Sequence, residues 1–256
     1  MSLVAVALGL VVGVVIGGLG GGGGVLTVPA LVMVLGQSAQ DATTGSVVIV
    51  GITSVVGVLV RLRSGCVRWR TGLALGAVGI PATMLGTVLN RSVAEPVLLL
   101  AFAGLTLLAA AALLLDSRGD HTGLPLPPRA FGTAAAAARI VGCGAAVGFL
   151  TGFLGVGGGF LAVPALVLVL RMPLPQATGT SLLVIVLNSL SALASRSGAL
   201  PHLDWPVVGA FTLAAAVSAV LATRVAHRLE GTVLTRAFAV MLLAVGLSVG
   251  AANLLA

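Results

Sequence analysis

Residues Gly13 to Leu31 read GVVIGGLGGGGGVLTVPAL, and Gly148 to Leu166 read GFLTGFLGVGGGFLAVPAL. Aligned at an offset of 135, residues 13–35 and 148–170 are identical at 15 of 23 positions. The match runs on past the glycines. Asp41-Ala42-Thr43-Thr44-Gly45-Ser46 aligns with Gln176-Ala177-Thr178-Gly179-Thr180-Ser181, and Arg61 with Arg196. At an offset of 136, Val67-Arg68-Trp69 pairs with Leu203-Asp204-Trp205, and Leu85-Gly86-Thr87 with Leu221-Ala222-Thr223. The chain is a duplicated unit, and self-similarity of this kind decides the architecture before any local reading does.

Each unit sits in a very apolar chain. Of 256 residues, 59% are hydrophobic and 7% charged, and the mean hydropathy is +1.22. A soluble domain carries about a quarter charged residues. Apolar runs near the ~20 residues needed to cross the hydrocarbon recur from end to end, which defines an all-α polytopic membrane protein. The opening MSLVAVALGL lacks a basic leader, so the first segment is expected to stay in place.

Five apolar segments are expected per unit: 3–20, 25–36, 42–60, 71–90 and 94–115, then 134–153, 160–170, 177–195, 206–224 and 232–255. The second of each set is short, as in a half-spanning or re-entrant helix. Residues 1–115 form the first transmembrane repeat and 134–256 the second. The polar, Pro/Gly-punctuated stretch 116–133 reads as a cytoplasmic linker.

The net charge of +7 comes from 13 basic residues, all arginine. They lie between apolar runs rather than on one basic face, which speaks for membrane orientation and against nucleic acid. Arg61, Arg63, Arg68 and Arg70 follow the third segment of the first unit, whereas Arg224, Arg228 and Arg236 follow the fourth of the second. Homologous gaps thus carry opposite bias. Placing the arginine-rich gaps, the linker with Arg139 just beyond it, and Arg171 inside gives 11 arginines in and two out. That arrangement requires two inverted-topology repeats, with both termini outside and a substrate site expected near the midplane between them. Five crossings per unit satisfy it, and so do three plus a hairpin.

The glycines decide where chemistry is expected. A P-loop is excluded, because GLGGGGGVL has no Lys-Ser/Thr and follows a membrane segment. Gly13, Gly17 and Gly20 have the spacing of close helix packing. Gly22-Gly23-Gly24 and Gly157-Gly158-Gly159 cannot share one helical face and carry a heavy propensity penalty, so a helix break is expected between the first two segments of each unit. Broken backbone inside a membrane must be satisfied by protein or a cavity, and its N–H groups are suited to an anion. Thr43, Ser46, Thr178 and Ser181 at the start of the third segments are expected to add hydroxyl donors or to cap the helix. Deeper in, Asn188 stands opposite Thr53 and Ser189 opposite Ser54. A buried Asn amide binds another helix or a substrate.

No acid is embedded mid-span, which speaks against a carboxylate proton relay, a cation carrier and a metal site. Asp41, at the start of the third segment, is matched by the neutral Gln176. Cys66 and Cys143 have no metal-ligand spacing, and His121, His202 and His227 lie in connections. No cofactor and no metal is expected. An enzyme would need embedded His, Cys or carboxylate clusters that this chain does not offer. By elimination the substrate is a small anion.

The twice-occurring G-x-x-x-G-x-x-G-x-G-G-G-x-x-x-V-P-x-L, the following A-T-x-x-S and the apolar pattern resemble the TauE/SafE family of sulfite exporters, also called the four-toluene-sulfonate uptake permease family. The resemblance covers essentially the whole chain. It implies an inner-membrane permease for sulfite, thiosulfate, a sulfonate or a related anion, in either direction, with about eight helices where the charge reversal favours ten segments. The resulting expectation is a secondary transporter working by alternating access. Gly22, Gly23, Gly24, Gly157, Gly158, Gly159, Thr43, Ser46, Thr178, Ser181 and Asn188 are its expected binding residues. A passive anion channel and a non-transporting membrane scaffold are the alternatives. Membrane lipid is the other expected partner, and a homo-oligomer is left open.

Overall fold

The computed structural model describes residues 2–62, 65–90, 92–116, 134–155, 159–196, 203–226 and 231–255. Ten α-helices are found among them: α1 (Ser2–Leu19), α2 (Gly23–Pro29), α3 (Ala39–Arg61), α4 (Trp69–Asn90), α5 (Glu95–Asp116), α6 (Ala134–Leu154), α7 (Gly159–Pro164), α8 (Leu174–Ser195), α9 (Trp205–Ala226) and α10 (Gly231–Leu255). Apart from Asp116, the expected linker lies outside the described residues, as do Gly157, Gly158 and the three histidines.

The ten segments recur as ten helices. Seven are long and apolar enough to cross a membrane; Leu3–Leu19, Gly23–Val34 and Phe160–Val169 are apolar but shorter. Their outer faces carry large bare side chains such as Leu3, Leu85, Leu108 and Leu213, each more than two-thirds exposed. That is the surface of a protein solvated by lipid, not water.

Both short helices change geometry at their proline. Pro29 ends α2 and Pro164 ends α7, and each is followed by one π-helical turn, Ala30–Val34 and Ala165–Val169. A proline has no N–H for the carbonyl four residues back. The chain widens to i→i−5 bonding, with Leu35 N–H donating to Ala30 O at 3.2 Å and Leu170 N–H to Ala165 O at 3.4 Å.

The repeats interlock. Helix α1 packs on α9 of the other repeat, and its counterpart α6 packs on α4. Glycines set this spacing. A Cβ on Gly13 would run into Ala215 and Ser218, and one on Gly17 into Ala219; one on Gly148 would meet Gly79, and one on Gly152 would meet Thr83. These two sets are aligned residue for residue, so close packing is what Gly13, Gly17, Gly148 and Gly152 provide. Rising numbers pair with rising numbers, which makes α1 and α9 parallel, and likewise α6 and α4.

The equivalent helices α3 and α8 pack on each other in the opposite sense. Gly51 lies against Ser189 and Gly57 against Leu182, so the two run antiparallel. Helices α5 and α10 do the same, with Gly246 at Thr106 and Gly250 at Ala103. The α3–α8 pair is the most buried part of the bundle, and Val48, Ile49, Val50, Leu182 and Ile185 pack in the core it shares with α1 and α9.

Candidate functional site

The first break begins at Gly20, whose spacing had pointed to packing, and the second at the aligned Gly155. Gly20 has φ +74° and Gly155 φ +64°, the left-handed conformation that closes a helix at little cost only in glycine. Gly20 N–H donates to Ile16 O at 2.9 Å, and Gly155 N–H to Thr151 O at 3.0 Å. The break therefore covers Gly20 to Gly22, while Gly23 and Gly24 already lie in the first turn of α2. Gly159 likewise starts α7. The expected positions are shifted because a left-handed residue must directly follow the last helical one, whereas a later glycine can join the next helix.

A third helix of the other repeat secures each break. Ser181 Oγ donates to Gly20 O at 2.5 Å, and Ser46 Oγ to Gly155 O at 2.5 Å. The closeness explains the second demand for glycine. A Cβ on Gly20 would collide with Thr178, and one on Gly155 with Thr43. The four polar residues expected at the starts of the third helices thus lie directly on the breaks of the opposite repeat.

Neither threonine caps its helix. Ser38 caps α3, accepting from Asp41 N–H at 3.1 Å while its hydroxyl donates to Asp41 Oδ2 at 2.7 Å, which also accounts for Asp41. Pro173 occupies the corresponding place before α8. Thr43 Oγ1 donates to Gln40 O and Thr178 Oγ1 to Pro175 O.

Two arginines that the sequence reading placed among loop charges are buried. Arg61 Nη2 donates to Gly17 O at 2.6 Å, and Arg196 Nη2 to Gly152 O at 3.1 Å, aligned bonds at the end of each first helix. Arg196 also reaches the first repeat, donating through Nη1 to Thr43 Oγ1 at 2.9 Å. Two further donors meet the same helix ends, and a third bonds α6 one turn earlier. Thr223 Oγ1 bonds Gly17 O at 3.1 Å, Asn90 Nδ2 bonds Phe153 O at 2.6 Å, and Thr83 Oγ1 bonds Gly148 O at 3.0 Å. The last carbonyls of a helix need such partners, all the more in a membrane. From the sequence, Arg61 and Arg196 are expected to order helix ends rather than to attract anions at the vestibules, and both do order them; Thr83, Asn90 and Thr223 were not singled out, and the alignment of Thr87 with Thr223 was the one available signal.

The two breaks do not meet. Ser46 touches the second break and Arg61 the end of α1 before the first, and 15 residues of α3 separate them, about 22 Å at the usual helical rise. Gly22 packs against the ring of Phe238 and the side chain of Met241, and Gly23 against Ile16. Thr43 and Ser46 therefore lie at one end of the α3–α8 pair and Thr178 and Ser181 at the other, with Asn188 between them.

Asn188 lies near the centre of that pair. Its Oδ1 faces Gly79 of α4 and, with Ser54 Oγ and Ser189 Oγ, is buried without a hydrogen-bond partner. A small recess one turn away, between Leu75, Cys143, Leu166 and Val184, is wholly apolar.

Among the described residues, an all-helical bundle with a lipid-solvated surface, helix breaks tied to the opposite repeat and a buried polar centre defines a multi-pass membrane protein of the kind that carries solutes. The chain belongs to the TauE/SafE sulfite exporter family, whose profile matches residues 5–249. It is 31% identical over 251 residues to a "probable membrane transporter protein" of Xylella fastidiosa (strain Temecula1), covering 96% of this chain and 94% of that one. It is 27% identical over 227 residues to the "probable membrane transporter protein YunE" of Bacillus subtilis, covering 79% and 80%. To the "probable membrane transporter protein MJ0441" of Methanocaldococcus jannaschii it is 24% identical over 207 residues, covering 75% and 73%. These are names of transporters, not of enzymes. No solved structure matches the chain.

Proposed function

We propose that this protein is a secondary transporter of the inner membrane that carries a small sulfur-containing oxyanion such as sulfite, thiosulfate or a sulfonate. It works by alternating access between two repeats of inverted topology. The observation that carries this reading is the reciprocal pair of latches, Ser181 on Gly20 and Ser46 on Gly155, at opposite ends of α3 and α8. Releasing one while holding the other opens the centre to one side only.

Several features support the inverted arrangement. Equivalent helices α3 and α8 run antiparallel, as do α5 and α10. Trp69 and Trp205 are aligned, half-exposed and start helices α4 and α9; α4 runs with α8, Gly72 lying at Leu183 and Gly76 at Leu187. Such tryptophans suit the two interfacial belts. With buried Arg61 and Arg196 removed from the topology count, 11 against two becomes 10 against one.

Uptake by proteoliposomes tests the function. Saturable flux of sulfite, thiosulfate or methanesulfonate, driven uphill by a proton or sodium gradient, is the expected result. Flux that never runs uphill marks a channel, and no flux ends the reading. Tags at both termini should be reached only from outside.

A further inference from the structure

Buried hydroxyls in membrane helices normally bond back to a carbonyl of their own helix. Thr53, Thr106, Thr151, Thr212, Ser218 and Thr223 all do so here. Thr87 on α4 departs singly, its aligned Thr223 being bonded, whereas Ser54 and Ser189 depart together: each is at most 1% exposed, and neither hydroxyl has a partner. They are aligned positions, so the same anomaly arises once in each repeat.

Their location is specific. The contacts Gly51–Ser189 and Gly57–Leu182 place the midpoint of the antiparallel crossing near residues 52–53 of α3 and 187–188 of α8. Ser54 and Ser189 each lie within two residues of it, about 3 Å along the axis. Asn188, 1% exposed and with an orphaned Oδ1, is beside them. Its bulk is accommodated by Gly79; the aligned positions hold Ala215 and the smaller Thr53. An orphaned polar atom costs about 1–3 kcal/mol when buried, and this crossing concentrates three.

We propose that the centre of the α3–α8 crossing is an oxyanion subsite lined by Ser54, Ser189 and Asn188. Two hydroxyls donate from facing helices, and the amide of Asn188 turns its NH₂ toward the ligand. Electrostatics select the sign of the ligand. The buried charged side chains among the described residues are Arg61 and Arg196, one at each end of the same helix pair, so the field along the crossing is positive. The subsite rests on the transporter reading and gives its substrate a place equidistant from the two latches.

The test is thermal stabilisation of the purified full-length protein by N-methylglucamine salts of sulfite, thiosulfate and methanesulfonate, with sodium chloride as the cation arm. Wild type is expected to be stabilised by at least one oxyanion. Ser54→Ala and Ser189→Ala should each raise the half-saturating concentration about tenfold, the value of one hydrogen bond to a charged group. Each should also raise the melting temperature of the ligand-free protein, because an orphaned hydroxyl has gone. Thr212→Val, in the back-bonded class, should leave the half-saturating concentration unchanged. Both serine variants titrating like wild type while wild type binds and transports would overturn the subsite and leave the transporter standing. Sodium stabilisation lost in those variants, with anion affinity intact, would overturn it in favour of a cation site. A wild type that neither binds nor transports any of the anions would end the transporter reading itself.

Discussion

The hydroxyl of Ser181 and the carbonyl of Gly20, 161 residues apart in sequence, are 2.5 Å apart, and Ser46 and Gly155 repeat the contact at the far end of the bundle. Each bond ties one repeat's broken helix to the other repeat's central helix. Ser181→Ala and Ser46→Ala leave a buried carbonyl one donor short, at a cost of about 1–3 kcal/mol each. Melting of the purified protein should fall by several degrees for either. With the sites about 22 Å apart the double variant should show the sum, within about 0.5 kcal/mol.

Gly20, Gly36 and Gly18 separate backbone strain from collision. Gly20 has φ +74° and Thr178 against it, Gly36 has φ +66° with open space, and Gly18 is helical with open space. Alanine should cost about 1–2 kcal/mol at Gly36 from conformation alone. It should cost clearly more at Gly20, and it should stabilise at Gly18 by about 0.5–1 kcal/mol. Equal melting temperatures for Gly20→Ala and Gly36→Ala would dismiss the packing of Thr178 on the break.

Arg196 bridges Gly152, Thr43 and Asn90 through a planar fork. Lysine keeps the charge and loses the fork. Arg196→Lys should therefore lower stability by about 2 kcal/mol or more and reduce flux, although its net charge is that of wild type. Wild-type melting and flux in this variant would show that charge alone suffices.

Antiparallel packing of α3 and α8 predicts which engineered cysteines meet. In a background with Cys66 and Cys143 replaced by alanine, Gly57→Cys with Leu182→Cys should cross-link readily. Gly51→Cys with Leu182→Cys should not, since about 9 Å of helical rise separates positions 51 and 57, beyond disulfide reach. The reverse preference would mean that α3 and α8 do not pack in this register.

The duplication, the ten segments and the short second helix of each unit were legible because alignment and hydropathy depend on composition at long range. The precise break was not, because a run of five glycines at Gly20 to Gly24 says nothing about which one takes positive φ; that is set by where α1 stops against Thr178. Arg61 and Arg196, aligned at segment ends, were legible as residues that order helix ends, but which carbonyls they reach, Gly17 and Gly152 of the first helices, is set only by folding. Ser54 and Ser189 were visible as an aligned pair, but their missing partners exist only in three dimensions.

The exchange of α1 onto α9 and of α6 onto α4 has a consequence for biosynthesis. Helix α1 must remain in the bilayer without its mate until nearly 190 further residues have been inserted. A chain truncated after the first repeat retains α4 but lacks α6, and retains α1 but lacks α9. Such a half has a route to completion only by trading first helices with a second copy of itself, as domain-swapped dimers do. An ancestor of single-repeat length would have needed two copies to complete these pairs, and joining them in one chain fixed their ratio at one to one.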